Sequence, residues 1–160
     1  MIDLMSFDEL RNLVEEYHAK FFLLDQRVVS DRKNSQNRSI RQIIGHMIDS
    51  ASNNTHRIVQ LQYRESPLQF HNYATEGNND RWINIQNYQN EDWLTLVNLW
   101  KYSHLHICHV VEQIDMEIIS SRWEAESGTF VTLEEMVNDF PRHFKLHISE
   151  INELLSNSNA

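Results

Sequence analysis

The stretch Thr132-Leu-Glu-Glu-Met-Val-Asn-Asp-Phe-Pro-Arg-His-Phe-Lys-Leu-His147 decides the fold of this chain. Its Thr-Leu-Glu-Glu start is a capping-box pattern, which predicts that a helix begins there. Apolar residues then recur at helical spacing to about Leu155 and predict one buried face. His143 and His147 are one turn apart at the flank of that face. The stretch therefore predicts an amphipathic helix that holds two imidazoles at an angle to a bundle interior.

Length and composition favour one all-α domain over residues 1–160. Apolar residues make up 41% of the 160, which is typical of a globular chain. Only 3 glycines and 2 prolines are present, so the helices should be long and the connections few. A net charge of -9 argues against nucleic acids and anionic membranes as partners. A single cysteine, Cys108, excludes an internal disulfide.

The location that we expect is the cytoplasm. The N-terminus, Met-Ile-Asp-Leu-Met-Ser, has no basic region before an apolar stretch, so no signal peptide is predicted. No apolar run is long enough to span a bilayer.

Three more long helices are predicted before the last one. The first runs from Ser6 to about Val29, with a Ser-Phe-Asp-Glu capping box and apolar residues three and four apart. The second runs from about Ser39, its predicted cap, to about Tyr63, and the third from about Glu91 to about Ile119. Together with the last helix they predict a four-helix bundle.

Two segments between these helices break the helical pattern. The segment 64–90 is too long for a hairpin turn, so it could cross the bundle and make the second and third helices parallel. A short helix inside it is compatible with its composition. The segment 120–131 ends in Phe130-Val131, which favours a β conformation.

His46, in the second helix, completes a candidate three-histidine metal site with His143 and His147. Such a site leaves one coordination position open, which suits catalysis better than structural support. Spacing alone is a weak signal, because a chain with 9 histidines contains such pairs by chance. Core or surface histidines are the alternative interpretation, in a non-catalytic bundle that binds a partner or small molecule.

Three polar residues follow His46 on the same helical face. Asp49 is the candidate catalytic base, although it could instead orient His46 or be a solvated carboxylate. Asn53 fits a wet interior better than a substrate contact. Arg57 could bind an anion, but we expect a surface arginine.

The third helix carries further histidines. His104 falls on its apolar stripe, where a hydrogen-bonded core histidine is the usual explanation. His106 and His109 are expected at the surface. Cys108 has no evident activating base and is interpreted as a small helix residue.

Two stretches resemble the DinB/YfiT-like superfamily, and the resemblance covers nearly the whole chain. One is Ser39-Ile-Arg-Gln-Ile-Ile-Gly-His-Met-Ile-Asp-Ser-Ala-Ser-Asn-Asn54, and the other is the stretch Thr132–His147 quoted above. The resemblance implies an up-down-down-up four-helix bundle with a long crossover between helices 2 and 3. Two departures are Arg38, where relatives often have tryptophan, and Pro141, which is unusual ahead of the histidine pair.

The resemblance also implies a function. Members are proposed metal-dependent enzymes, among them hydrolases and transferases or isomerases that use low-molecular-weight thiols. The positions that match their metal ligands are His46, His143 and His147. We therefore expect a divalent ion, with Zn or Ni favoured and Mn or Fe as alternatives, because imidazole suits several of these metals. The expected partner is a small-molecule substrate, with thiols among the candidates, and the expected assembly is a homodimer.

Overall fold

The computed structural model describes residues 1–156, and these form six α-helices and a three-stranded sheet. The helices are α1 (Leu4–Phe22), α2 (Gln26–Asp31), α3 (Ile40–Leu61), α4 (Asn78–Gln86), α5 (Trp93–Glu112) and α6 (Leu133–Ser156). The strands are β1 (Leu68–Gln69), β2 (Arg122–Glu126) and β3 (Thr129–Thr132). The four long helices, α1, α3, α5 and α6, pack around one core, so the predicted four-helix bundle is confirmed. No helix in the described part is long and apolar enough to cross a membrane.

Contacts near the helix ends indicate that α3 and α5 run parallel. Near their starts, Arg41 donates a hydrogen bond to the carbonyl oxygen of Glu91 at 2.6 Å. Near their ends, the backbone N–H of Asp115 donates to the side chain of Gln62 at 3.0 Å. A parallel pair needs a connection that returns along the bundle, and the segment 62–92 provides it.

The other two long helices run the opposite way. Trp93, at the start of α5, donates from Nε1 to the carbonyl oxygen of Phe21, at the end of α1. Lys145 and Glu9 form an ion pair at 2.7 Å, so the middle of α6 lies beside the first half of α1. Asn152, later in α6, donates to Tyr17, later in α1. These pairs agree with the up-down-down-up order that the resemblance implies.

The predicted first helix, Ser6 to Val29, is wrong as a single element. It divides into α1 and α2 because Asp25 caps a new helix and accepts hydrogen bonds from the N–H groups of Arg27 and Val28. Its start is also earlier than predicted, since Asp3 caps α1 by accepting from the N–H of Ser6. Caps of this kind decide where one helix ends and the next begins, even when the apolar pattern of the sequence continues.

The predicted third helix, Glu91 to Ile119, is too long. Asp92 caps α5 by accepting from the N–H of Thr95, and the helix ends at Glu112. A short 3-10 helix, Met116–Ile118, follows it. The caps predicted for the other two helices are correct: Ser39 forms a capping box at α3, and Thr132 exchanges hydrogen bonds with Glu135 at the start of α6.

A small sheet joins the two segments that broke the helical pattern. β1 pairs in parallel with β2, Leu68 opposite Trp123, and β2 pairs antiparallel with β3, Trp123 opposite Val131. The β-leaning Phe130-Val131 therefore lies in a strand as predicted, and the segment 64–90 contains α4, a short helix. Trp123, Phe130 and Val131 of the sheet line a cavity together with residues of α3 and α6.

Candidate metal centre

Three imidazoles from two helices meet inside the bundle. His46 lies on α3, and His143 and His147 lie one turn apart on α6. Their ring centroids are 4.8 Å apart for His46 and His147, 5.7 Å for His46 and His143, and 4.5 Å for the pair on α6. One nitrogen from each ring lies within 4.8 Å of the others. The structure thus brings together the three histidines singled out from the sequence.

The spacing of the nitrogens suits a bound cation. The Nε2 atoms of His143 and His147 are 3.1 Å apart. Two bare nitrogen lone pairs repel at that distance, so a proton or a cation must lie between them. Two nitrogens that bind Zn²⁺ tetrahedrally at about 2.0–2.1 Å lie about 3.3 Å apart. The arrangement therefore needs little adjustment to hold an ion.

The hydrogen bonds at Nδ1 differ among the three rings. His147 donates from Nδ1 to Glu150 Oε2 at 2.9 Å, since a carboxylate only accepts. A longer bond of 3.5 Å joins His143 Nδ1 and Ser50 Oγ. His46 Nδ1 is buried and has no hydrogen-bond partner among residues 1–156. A buried nitrogen left without a partner is costly, and a metal-binding role would explain it.

Burial keeps two of these rings neutral at pH 7. It lowers the pKa of His46 to about 3, with smaller effects from His147, Arg38 and His143. Burial likewise lowers the pKa of His143 to about 4, and the nearby His147 adds to the effect. A metal binds only the neutral imidazole, so the lone pairs are available.

Asp49 is buried, so the alternative of a solvated carboxylate is wrong. Only 1% of the residue is exposed. Its Oδ1 accepts hydrogen bonds from Tyr88 OH at 2.6 Å and from Gln86 Nε2 at 2.7 Å. Oδ2 is buried without a partner among residues 1–156. Burial raises the pKa of Asp49, although the bonds from Tyr88 and Gln86 oppose this.

The partners of Asp49 were not predicted. Tyr88 reaches it because its ring lies against Gly45 on α3, where a Cβ atom would be 2.0 Å from Tyr88 Cδ2. A glycine in a helix interior costs about 1 kcal/mol relative to alanine, so it often marks a close approach. Gly45 was thus the available signal, but it did not identify Tyr88 or Gln86.

Asn53 and Arg57, the remaining candidates on α3, differ from each other in burial. Asn53 is partly buried and donates to the carbonyl oxygen of Asp49 on its own helix at 2.9 Å. Arg57 is only 5% exposed, so the predicted surface arginine is wrong. Its guanidinium lies inside the protein because the sheet covers this part of α3.

The histidines of α5 lie as predicted. His104 is buried and its Nδ1 donates to the carbonyl oxygen of Trp100 at 2.6 Å. Burial lowers the pKa of His104 to about 4. The predicted hydrogen-bonded core histidine is therefore confirmed, and His106 and His109 are exposed as expected.

A cavity of about 570 Å³ begins beside the histidines. Its volume falls in the range of about 300–1,000 Å³ that is usual for small-molecule sites. It lies between α3, α6, the segment 72–74 and the sheet, and its lining includes Ser50, Asn54, Arg57, Tyr73, Trp123 and His143. The segment after α3 thus forms part of the cavity wall.

Fold and site together define a four-helix bundle with a three-histidine cluster beside a cavity. No known sequence family matches the chain, and no curated protein does. Solved structures do match. YfiT from Bacillus subtilis, described as a probable metal-dependent hydrolase with an unusual four-helix bundle topology, is 18% identical with a TM-score of 0.77 over 98% of this chain and 89% of that one.

A second similar structure is the mycothiol-dependent maleylpyruvate isomerase. It is 14% identical with a TM-score of 0.73, and the match covers 94% of this chain but only 61% of the isomerase. At this level of identity the likeness establishes the fold. The fold that the sequence resemblance implies is therefore shared with both of these solved structures.

Proposed function

We propose that this chain is a metal-dependent enzyme that binds one divalent ion through His46, His143 and His147. The observation that carries the proposal is the convergence of three buried or partly buried imidazoles, with 3.1 Å between Nε2 of His143 and Nε2 of His147. A purely structural cluster would pair each buried nitrogen with a protein group. Here His46 Nδ1 has no partner among residues 1–156.

The ligand set favours Zn or Ni over Mn or Fe. Three neutral nitrogen donors suit the later metals of the first row, whereas Mn prefers carboxylate and water oxygens. An ion held by three neutral imidazoles keeps its positive charge, so it would lower the pKa of a bound water to about 7 or stabilise a bound thiolate. Glu150 fixes the tautomer of His147 and so presents Nε2 to the ion.

Asp49 is the residue that we propose for proton transfer. Its Oδ1 is held by Tyr88 and Gln86, so Oδ2 is the oxygen that could accept a proton from an attacking water or thiol. Burial raises the pKa of Asp49, which brings it closer to the range useful for a base at neutral pH. In Asp49→Asn, metal content should stay unchanged while turnover falls about 100-fold or more.

The reaction that we propose is hydrolysis or a thiol-dependent transfer of a small molecule. The fold is shared with a probable metal-dependent hydrolase and with a mycothiol-dependent isomerase, which supports both. A screen of low-molecular-weight thiols with acceptors, and of esters and amides, separates hydrolysis from thiol-dependent transfer.

Tyr88→Phe is the matched control for Asp49→Asn, because it removes one hydrogen bond to the carboxylate and leaves the carboxylate itself.

Elemental analysis of the purified protein tests the metal site. The chelator-treated parent is equilibrated with Zn, Ni, Mn and Fe and compared with His143→Ala/His147→Ala. We expect about one ion per chain in the parent and none in the double variant. His104→Asn, which alters a buried histidine outside the cluster, should bind as the parent does. A folded parent that takes up no metal at micromolar concentration would refute the enzyme proposal and favour a non-catalytic bundle.

A homodimer and a cytoplasmic location complete the proposal. Sedimentation equilibrium at micromolar concentration tests the dimer, and a single species at the 19.1 kDa mass of the chain would refute it. Fractionation of the source cells, followed by immunoblotting, tests the location.

A further inference from the structure

Arg57 is a buried cation on the same side of α3 as the histidine cluster. It lies eleven residues after His46, which is about three helical turns, so the two side chains leave the same face. Arg57 and His143 both line the cavity, and only 5% of Arg57 is exposed. One cavity is thus lined by a histidine of the candidate metal site and by a guanidinium.

The groups around Arg57 are neutral. Its guanidinium carbon lies 4.0 Å from the ring centroid of Trp123 and 5.5 Å from that of Tyr73. Its Nη2 donates to Asn72 Oδ1 over a long 3.4 Å. Within residues 1–156, no carboxylate forms an ion pair with it. Arginine has five N–H donors and is rarely buried unless it is paired.

The acidic groups of the cavity are already engaged. Glu135 accepts hydrogen bonds from the backbone and the hydroxyl of Thr132 at 2.8 Å. Asp139 accepts two hydrogen bonds from Arg142, at 2.6 and 3.0 Å.

Burial lowers the pKa of Arg57 to about 10, which still leaves it charged at pH 7. The charge of Arg57 is therefore left for a group that enters the cavity.

We propose that Arg57 binds the carboxylate of a small organic substrate whose reacting end lies at the histidines. The inference rests on the proposed function for the reacting end alone, because the contacts of Arg57 do not depend on a metal. A planar guanidinium with free donors matches a carboxylate in two parallel hydrogen bonds. The rings of Trp123 and Tyr73 contact the guanidinium, but neither ring supplies a negative charge to pair with it.

Binding of simple carboxylates to the metal-free protein tests this. The probes are benzoate and succinate, and their neutral counterparts are benzamide and succinamide. Metal is removed first, because a carboxylate could otherwise bind the ion. Binding is followed by NMR at the Nε–H of Arg57 and the indole N–H of Trp123, which report on the site itself. We expect carboxylates to shift both signals and the amides to leave them in place.

Variants at two arginines of this region sharpen the test. Arg57→Gln should weaken carboxylate binding about tenfold or more, as expected for lost hydrogen bonds to a charged group. Arg57→Lys keeps the charge but loses the planar pair of donors. Its affinity for carboxylates should therefore lie between that of the parent and that of Arg57→Gln. Arg64→Gln removes the same charge from an exposed position just after α3 and should change nothing.

Two results would overturn the inference: equal binding of acids and amides by the parent, or undiminished carboxylate binding by folded Arg57→Gln. The acid–amide comparison needs no variant, so it stands even if Arg57→Gln does not fold. Metal content is measured on the same preparations. Metal binding without carboxylate selectivity would refute only the role of Arg57, whereas selectivity without metal binding would refute only the proposed function.

Discussion

His104 and His46 are both buried histidines on neighbouring helices of one bundle, yet their surroundings differ. His104 donates to the carbonyl oxygen of Trp100, and its ring packs against Trp100, Phe140 and Phe144. His46 Nδ1 is buried without a partner among residues 1–156, and its ring meets two other imidazoles.

The difference separates a structural histidine from one that we propose binds a metal. Both rings are neutral at pH 7, since burial lowers both pKa values. Burial and pKa therefore do not distinguish them. The hydrogen-bond partners do, because folding satisfies His104 and leaves His46 for another group.

The largest expected effect is the destabilisation of the metal-free protein by acid. The unfolded histidines titrate near pH 6.5, whereas the folded pKa is about 3 for His46 and about 4 for His143 and His104. The unfolded state binds more protons below pH 6.5, so the free energy of unfolding falls as the pH falls towards 4. At pH 4.5 the loss is about 2.6 kcal/mol per histidine, on the order of 8 kcal/mol for the three.

Urea denaturation at pH 7.5, 6 and 5 measures this dependence. His104→Asn should remove about one third of it, because one of the three buried titrating rings is gone. A free energy of unfolding that does not change over this range would contradict the neutral, buried state of the rings.

Alanine substitutions should separate the two histidines by the free energy of unfolding in the absence of metal. His104→Ala should cost about 3 kcal/mol, since it opens a cavity among aromatic rings and removes the hydrogen bond from the imidazole to the Trp100 carbonyl oxygen. His46→Ala should cost at least about 1 kcal/mol less, because it also removes an unsatisfied buried nitrogen. Equal losses in chemical denaturation would show that folding satisfies His46 as fully as it satisfies His104.

Glu150→Gln should weaken the metal site without weakening the fold. Glu150 holds Nδ1 of His147, and loss of such a partner lowers metal affinity about 10–100-fold, or about 1.4–2.7 kcal/mol. Competition with a chromogenic chelator measures the affinity. Glu153→Gln, an exposed change one turn further along α6, is the control. Equal affinities in both variants would show that Glu150 does not orient the ligand.

Ser50→Ala should have the smallest effect. Its contact with His143 Nδ1 is 3.5 Å long, at the limit of a hydrogen bond. Metal affinity should therefore change by less than about threefold, or roughly 0.6 kcal/mol. Ser52→Ala, an exposed change on the same helix, is the reference. A loss comparable to that of Glu150→Gln would mean that Ser50 positions His143 as strongly as Glu150 positions His147.

Local patterns predicted much of the bundle. The caps at Ser39 and Thr132 are where they were expected, because a cap involves residues only three apart. The first helix was predicted too long, since its apolar stripe continues past the point where Asp25 starts a new helix. The sheet was largely missed because its pairing of Leu68 with Trp123 joins distant segments.

The sequence by itself determined that His143 and His147 share one face, because four residues make about one helical turn. It also determined the apolar stripes of the bundle. Only the tertiary structure decided that His46 meets this pair, that Asp49 contacts Tyr88 and that Arg57 is buried without an acidic partner among the described residues. These facts depend on which distant segments pack together, and helical periodicity carries no information about that.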